Sequence, residues 1–112
     1  RSLVSPRAVP GALAALEGSL ARLHAGSYLK TLETVTRYDG LRDLHRVAVP
    51  TLVVVGADDP VTPPARVRAF AASIPGARYA EIPDAGHLAN LEQPARFDAL
   101  LLSRLERRGA FA

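Results

Sequence analysis

Residues 48–112 predict an α/β fold, two parallel strands with flanking helices, and residues 1–47 predict a helical segment ahead of it. Three observations carry this expectation. Thr51-Leu52-Val53-Val54-Val55-Gly56 is rich in β-branched residues and shows no polar alternation. Such a run suits a parallel strand buried on both faces. Ala77-Arg78-Tyr79-Ala80-Glu81-Ile82 is a second, shorter strand, and a helical pattern separates the two. Before Pro50, apolar residues recur at helical spacing and no strand signal is present.

Taken in order, Ala12, Leu13, Leu16, Leu20 and Leu23 form one apolar helix face. Gly26 is the expected stop and Ser27 the expected cap of a second helix carrying Tyr28, Leu29, Leu32, Val35 and Thr36. A short segment, Leu41-Arg42-Asp43-Leu44, leads to the only candidate boundary, near Ala48–Pro50. After the first strand, Asp58-Asp59-Pro60-Val61 is a turn. Thr62 is the expected cap of a helix whose first turn tolerates Pro63 and Pro64, because those positions lack intrahelical N–H partners. Val67, Phe70, Ala71 and Ile74 continue that helix until Pro75-Gly76 stops it. The second strand leads to a loop from Pro83 to Leu91, and Pro94 opens a last helix with Phe97, Leu100, Leu101 and Leu105 on its apolar face. A right-handed crossover sets the two strands side by side, with functional loops at their C-terminal ends. Two strands of the buried type cannot cover their own faces and edges. The expected remedy is a further N-terminal part or self-association with another copy.

Composition narrows the function classes. The 112 residues are 48% hydrophobic and 22% charged, which fits an ordinary globular chain. There is no Cys, which excludes a disulfide scaffold, a thiolate metal site and a cysteine nucleophile. The net charge of +3 is spread along the chain apart from Arg104, Arg107 and Arg108. Cations at the end of a helix complement its dipole, so this run carries no nucleic-acid reading. No apolar run approaches a membrane span, and the first residues lack a leader's apolar stretch. The expected partners therefore include neither nucleic acid nor membrane, and the expected location is cytoplasmic. His24, His45 and His87 have no ligand spacing with nearby carboxylates, and no phosphate-binding Gly-rich loop is present. No metal or cofactor is expected.

Asp59 and His87 are where chemistry is expected. Each follows a strand by a few residues, so both belong on loops at one edge of the sheet. A carboxylate there can accept a bond from one ring nitrogen of the histidine. The other nitrogen is then free to act as a base, and the carboxylate stabilises the imidazolium. Gly86 is expected to let the loop bend tightly. His24 and His45, with no partner motif, are read as surface or packing residues.

Two stretches resemble a known family. Val49-Pro50-Thr51-Leu52-Val53-Val54-Val55-Gly56-Ala57-Asp58-Asp59-Pro60-Val61-Thr62-Pro63 is similar to the acid-bearing strand and turn of α/β-hydrolases. Pro83-Asp84-Ala85-Gly86-His87-Leu88-Ala89-Asn90-Leu91-Glu92-Gln93-Pro94 is similar to their histidine loop. The resemblance spans roughly residues 37–104, with both motifs in family order. It implies the C-terminal portion of an α/β-hydrolase fold for 48–112, preceded in 1–47 by helices resembling the end of the cap, or lid. Within the superfamily the chain most resembles 3-oxoadipate enol-lactonase-like and related small-molecule hydrolases.

The resemblance assigns Asp59 as triad acid and His87 as triad base, and leaves Asp58 a turn residue. Leu88 is a candidate for lining the substrate pocket, with a core role as the alternative. Asn90, Glu92 and Gln93 are expected to cap and orient the last helix. The family's serine belongs on a G-x-S-x-G elbow upstream of the acid. None of Ser2, Ser5, Ser19, Ser27, Ser73 and Ser103 lies in such an elbow. The expected function is thus the C-terminal part of a serine-dependent hydrolase cleaving a small ester, lactone or related carbonyl substrate. This chain would supply acid and base, and alone it would be inactive. A non-catalytic, self-associating or binding module is the alternative from another class. C–C hydrolysis and cofactor-free peroxidation on the same fold also remain open.

Overall fold

The computed structural model describes residues 3–106. Arg1, Ser2, and residues 107–112 with the expected helix-ending Arg107 and Arg108, lie outside the described residues. The described order is α1 (Ala12–Leu20), α2 (Ala25–Arg37), a 3-10 helix (Leu41–Arg46), β1 (Leu52–Gly56), α3 (Pro64–Ala72), β2 (Arg78–Ile82), α4 (Ala89–Glu92) and α5 (Pro94–Glu106). β1 and β2 pair in parallel, Leu52 opposite Arg78 and Gly56 opposite Ile82. The strand–helix–strand crossover therefore brings the ends of both strands to the same edge, as the sequence predicts.

Several boundaries differ from expectation, each for a local reason. α2 begins one residue before Gly26, because His24 and not Ser27 is its cap. The His24 ring nitrogen accepts the Ser27 N–H at 3.3 Å, so an imidazole does the work expected of a hydroxyl. α3 begins at Pro64 behind an extended Pro63, and Thr62 makes no cap bond to it. The Thr62 hydroxyl is committed instead to Asp59. The segment after β2, expected to be irregular from Pro83 to Leu91, contains a four-residue helix, α4.

The core is small and lies around the strand ends. Val4, Ala12, Val55, Ala71, Ile74, Ile82 and Ala85 are its buried apolar residues. Val53 and Val54 are only half-buried, so the expected burial of β1 on both faces is not reached in this chain. They line an open apolar groove with Leu41, Leu44, Val67 and Phe70. The helical part is similar: the expected apolar residues lie on α1 and α2 except Leu23, which falls beyond the end of α1 at Leu20, and Leu13, Leu20, Leu29, Leu32 and Val35 are exposed. Helical periodicity is present there without the packing that normally stabilises it.

Residues 3–9, part of the segment expected to be helical, lie instead against the loop after β2. His87 N–H donates to Leu3 O at 2.8 Å, and Val9 N–H to Glu92 O at 2.9 Å. Two glycines permit this close stacking. A Cβ on Gly56 would collide with the main-chain oxygens of Ala85 and Gly86, and one on Gly86 would press on Leu3 and Ser5. Gly86 thus serves close approach and not the expected sharp bend. The positive φ of this loop, 59°, falls on Asp84.

Candidate active site

The end of β1 turns sharply on Asp59. Its Oδ1 accepts the N–H groups of Val61 at 2.8 Å and Thr62 at 3.0 Å, and its Oδ2 accepts the Thr62 hydroxyl at 2.7 Å. A carboxylate bonded to main chain two and three residues ahead is the local reason an Asp closes this turn. The same group meets the histidine loop: His87 Nδ1 lies 3.0 Å from Oδ2 and 3.2 Å from Oδ1. An ionised carboxylate only accepts, so Nδ1 is the donor, and in the neutral ring Nε2 is the nitrogen with the free lone pair. The Asp59 side chain is 4% exposed and that of His87 36%, so the acid is enclosed while the ring remains accessible.

Burial by itself pushes the Asp59 carboxyl up. The Thr62 hydroxyl, the Thr62 N–H, His87 and the Val61 N–H outweigh it and hold the group below the ordinary carboxylate range. A lowered folded value means that the unfolded chain binds the proton first as pH falls. The stabilisation from Asp59 is complete above about pH 4 and is lost as pH drops through the folded value. Urea titrations of the chain between neutral and strongly acidic pH therefore show a shallower acid loss for Asp59→Asn than for the wild type. Identical acid limbs would contradict this account of the bonds around Asp59.

The expected pair is thus brought together, and the remaining candidates are sorted by position. Asp58 does not face His87; it accepts the Ser5 hydroxyl at 2.7 Å and the Arg7 guanidinium at 3.1 Å. His24 is held at the start of α2 and His45 is exposed in the 3-10 helix. Leu88 follows His87, is half-buried, and donates its N–H to Glu92 Oε1 at 3.0 Å. The apolar groove beside β1 is lined by neither Asp59 nor His87. Among the described residues no group of three or more His, Asp or Glu is arranged to hold a metal, and no helix is long and apolar enough to cross a membrane.

Glu92 and Gln93 depart from their expected roles. Gln93 does not cap α5 with its side chain; its amide nitrogen donates to Asp84 O at 3.0 Å and Arg7 O at 3.2 Å. Glu92 is completely buried, and its carboxylate faces the loop that carries His87. Thr62, Glu92 and Gln93, like Ser27 at the start of α2, thus take partners other than the cap roles expected of them, and residue spacing alone does not distinguish the two.

With this geometry in place, the relatives are informative. Residues 2–100 match the alpha/beta hydrolase family, and the chain belongs to that family. BpoC of Mycobacterium tuberculosis, which carries a non-heme bromoperoxidase name, is 39% identical over 71 residues, 63% of this chain and 27% of that one. The 3-oxoadipate enol-lactonase 2 of Acinetobacter baylyi is 34% identical over 83 residues, 74% of this chain and 31% of that protein. In structure, a thermophilic esterase from Thermogutta terrifontis matches with a TM-score of 0.62 at 39% identity, over 63% of this chain and 26% of the esterase. The chain therefore spans little more than a quarter of the length of the first curated relatives it matches.

Proposed function

We propose that these residues form the C-terminal part of a serine-dependent hydrolase, with Asp59 as triad acid and His87 as triad base. The observation that carries this is the enclosed Asp59 carboxylate bonded to Nδ1 of an accessible His87. In that arrangement His87 Nε2 takes the proton of a serine hydroxyl as the oxygen attacks a carbonyl carbon, then returns it to the leaving group. In the second half-reaction Nε2 takes a proton from water as the water cleaves the acyl-serine, and the proton returns to the serine. Asp59 holds the ring in the Nδ1–H tautomer and stabilises the imidazolium formed in each half.

The serine and the oxyanion donors come, in this reading, from chain beyond these 112 residues, which contain no G-x-S-x-G. Two observations support that assignment: the short share of each relative that is matched, and the half-buried Val53 and Val54 beside an open groove, a surface that more sheet would cover. The enol-lactonase and esterase among the relatives favour a small ester, lactone or related carbonyl compound as substrate. Leu88, next to the base, is the residue of this chain that we place on the substrate-facing wall. The reading is tested with a serine-directed fluorophosphonate. The 112-residue chain stays unlabelled, whereas a longer polypeptide carrying it is labelled on a serine outside these residues.

A further inference from the structure

We infer that Glu92 is a positioning residue for His87: one buried carboxylate sets the main chain on both sides of the base. This inference rests on the reading of His87 as the base. Carboxylates enter a protein interior only when their acceptor capacity is filled. Glu92 is 0% exposed, and its oxygens accept the N–H groups of Ser5 at 2.7 Å, Gly86 at 2.7 Å and Leu88 at 3.0 Å. Gly86 and Leu88 flank His87, whose own N–H is taken by Leu3 O at 2.8 Å. Three consecutive N–H groups are thereby committed, which fixes the direction in which the His87 side chain leaves the loop.

The same carboxylate also reaches the acid's turn. Ser5, held through its N–H, donates its hydroxyl to Asp58 at 2.7 Å, and Asp58 is the neighbour of Asp59. Asp58 N–H in turn donates to Ala85 O at 2.8 Å, back in the histidine loop. Glu92 thus stands at the junction of three segments: residues 3–9, the turn after β1 and the loop after β2. A residue that only filled the core would not need donors from both sides of one histidine.

Glu92→Gln is nearly isosteric but replaces one acceptor oxygen by an NH2 group, which opposes at least one of the three N–H donors. In the 15N-labelled 112-residue chain, we expect the His87 Nδ1–H held by the enclosed Asp59 to give a downfield resonance that Asp59→Asn removes. We expect Glu92→Gln to remove it as well. Ile74→Ala, which opens the core at a buried position outside this hydrogen-bond set, lowers stability and leaves the resonance in place. Retention of the resonance in folded Glu92→Gln overturns the inference, as does its loss in folded Ile74→Ala.

If Glu92→Gln does not fold as the short chain, the longer hydrolase decides, because the rest of its fold supports the segment. There kcat falls about 100-fold or more while KM stays within about threefold. An unchanged kcat overturns the inference. Failure of the base assignment is recognised separately: His87→Ala would then retain activity, whatever the ring-proton signal shows.

Discussion

Under the proposed function, replacing His87 by alanine in a longer polypeptide that carries these residues lowers kcat by about 10⁴-fold or more, with KM little changed. The expectation follows from where the ring sits. Its Nδ1 is 3.0 Å from an enclosed carboxylate, so Nε2 is the only ring nitrogen available to move a proton. A proton transferred in the transition state stabilises that state and not the bound substrate, so the loss falls on kcat. Asp59→Asn should cost about 10⁴-fold by a different route. An amide NH2 set against Nδ1 makes that nitrogen an acceptor and moves the ring proton to Nε2, where the base is needed. The variant keeps an oxygen for the turn, so its fold should survive. Steady-state hydrolysis of an activated aryl ester measures both effects, and near-normal turnover of either variant would point to another acid or base.

The largest stability effect is expected at Glu92. Glu92→Ala leaves the N–H groups of Ser5, Gly86 and Leu88 without their acceptor. A buried donor without a partner costs about 1–3 kcal/mol, so the unrelaxed sum is large. Entry of water and relief of the buried carboxylate's own desolvation bring the expected loss down to about 3–5 kcal/mol. Domains are typically stable by only about 5–15 kcal/mol, so this loss is a large fraction of the stability available to the short chain. Urea unfolding followed by circular dichroism reads the change. A loss below about 1 kcal/mol would mean that the three N–H groups have other acceptors.

Much of the α/β half was legible in the sequence because its signals are local. The apolar run ending at Gly56, the helix-opening prolines and the second strand each depend on residues a few positions apart, and the parallel pairing of β1 with β2 follows from the crossover. The juxtaposition of Asp59 and His87 was legible for the same reason: each ends a strand, and parallel strands deliver their ends to one edge. What escaped depends on which of several possible partners a side chain takes. Glu92 in α4 reads as a helix-start acid, and only the arrival of Ser5, 87 positions away, makes it a buried junction. Thr62 reads as a cap because hydroxyls before prolines often are, yet Asp59 competes for it at 2.7 Å and wins. In the helical half the expected apolar residues fall on helices except Leu23, which lies beyond the end of α1, and periodicity cannot state what covers a face: Leu29 and Val35 are exposed at 65% and 63%.

The most direct test of the account is the site of covalent modification by a serine-directed fluorophosphonate, located by mass spectrometry. The account predicts no adduct on the 112-residue chain. It predicts one adduct on the longer polypeptide, at a serine in a G-x-S-x-G segment preceding these residues, and a labelling rate that collapses in His87→Ala. An adduct on any of the six serines of this chain that depends on His87 would contradict it, as would labelling of the longer polypeptide that is indifferent to His87.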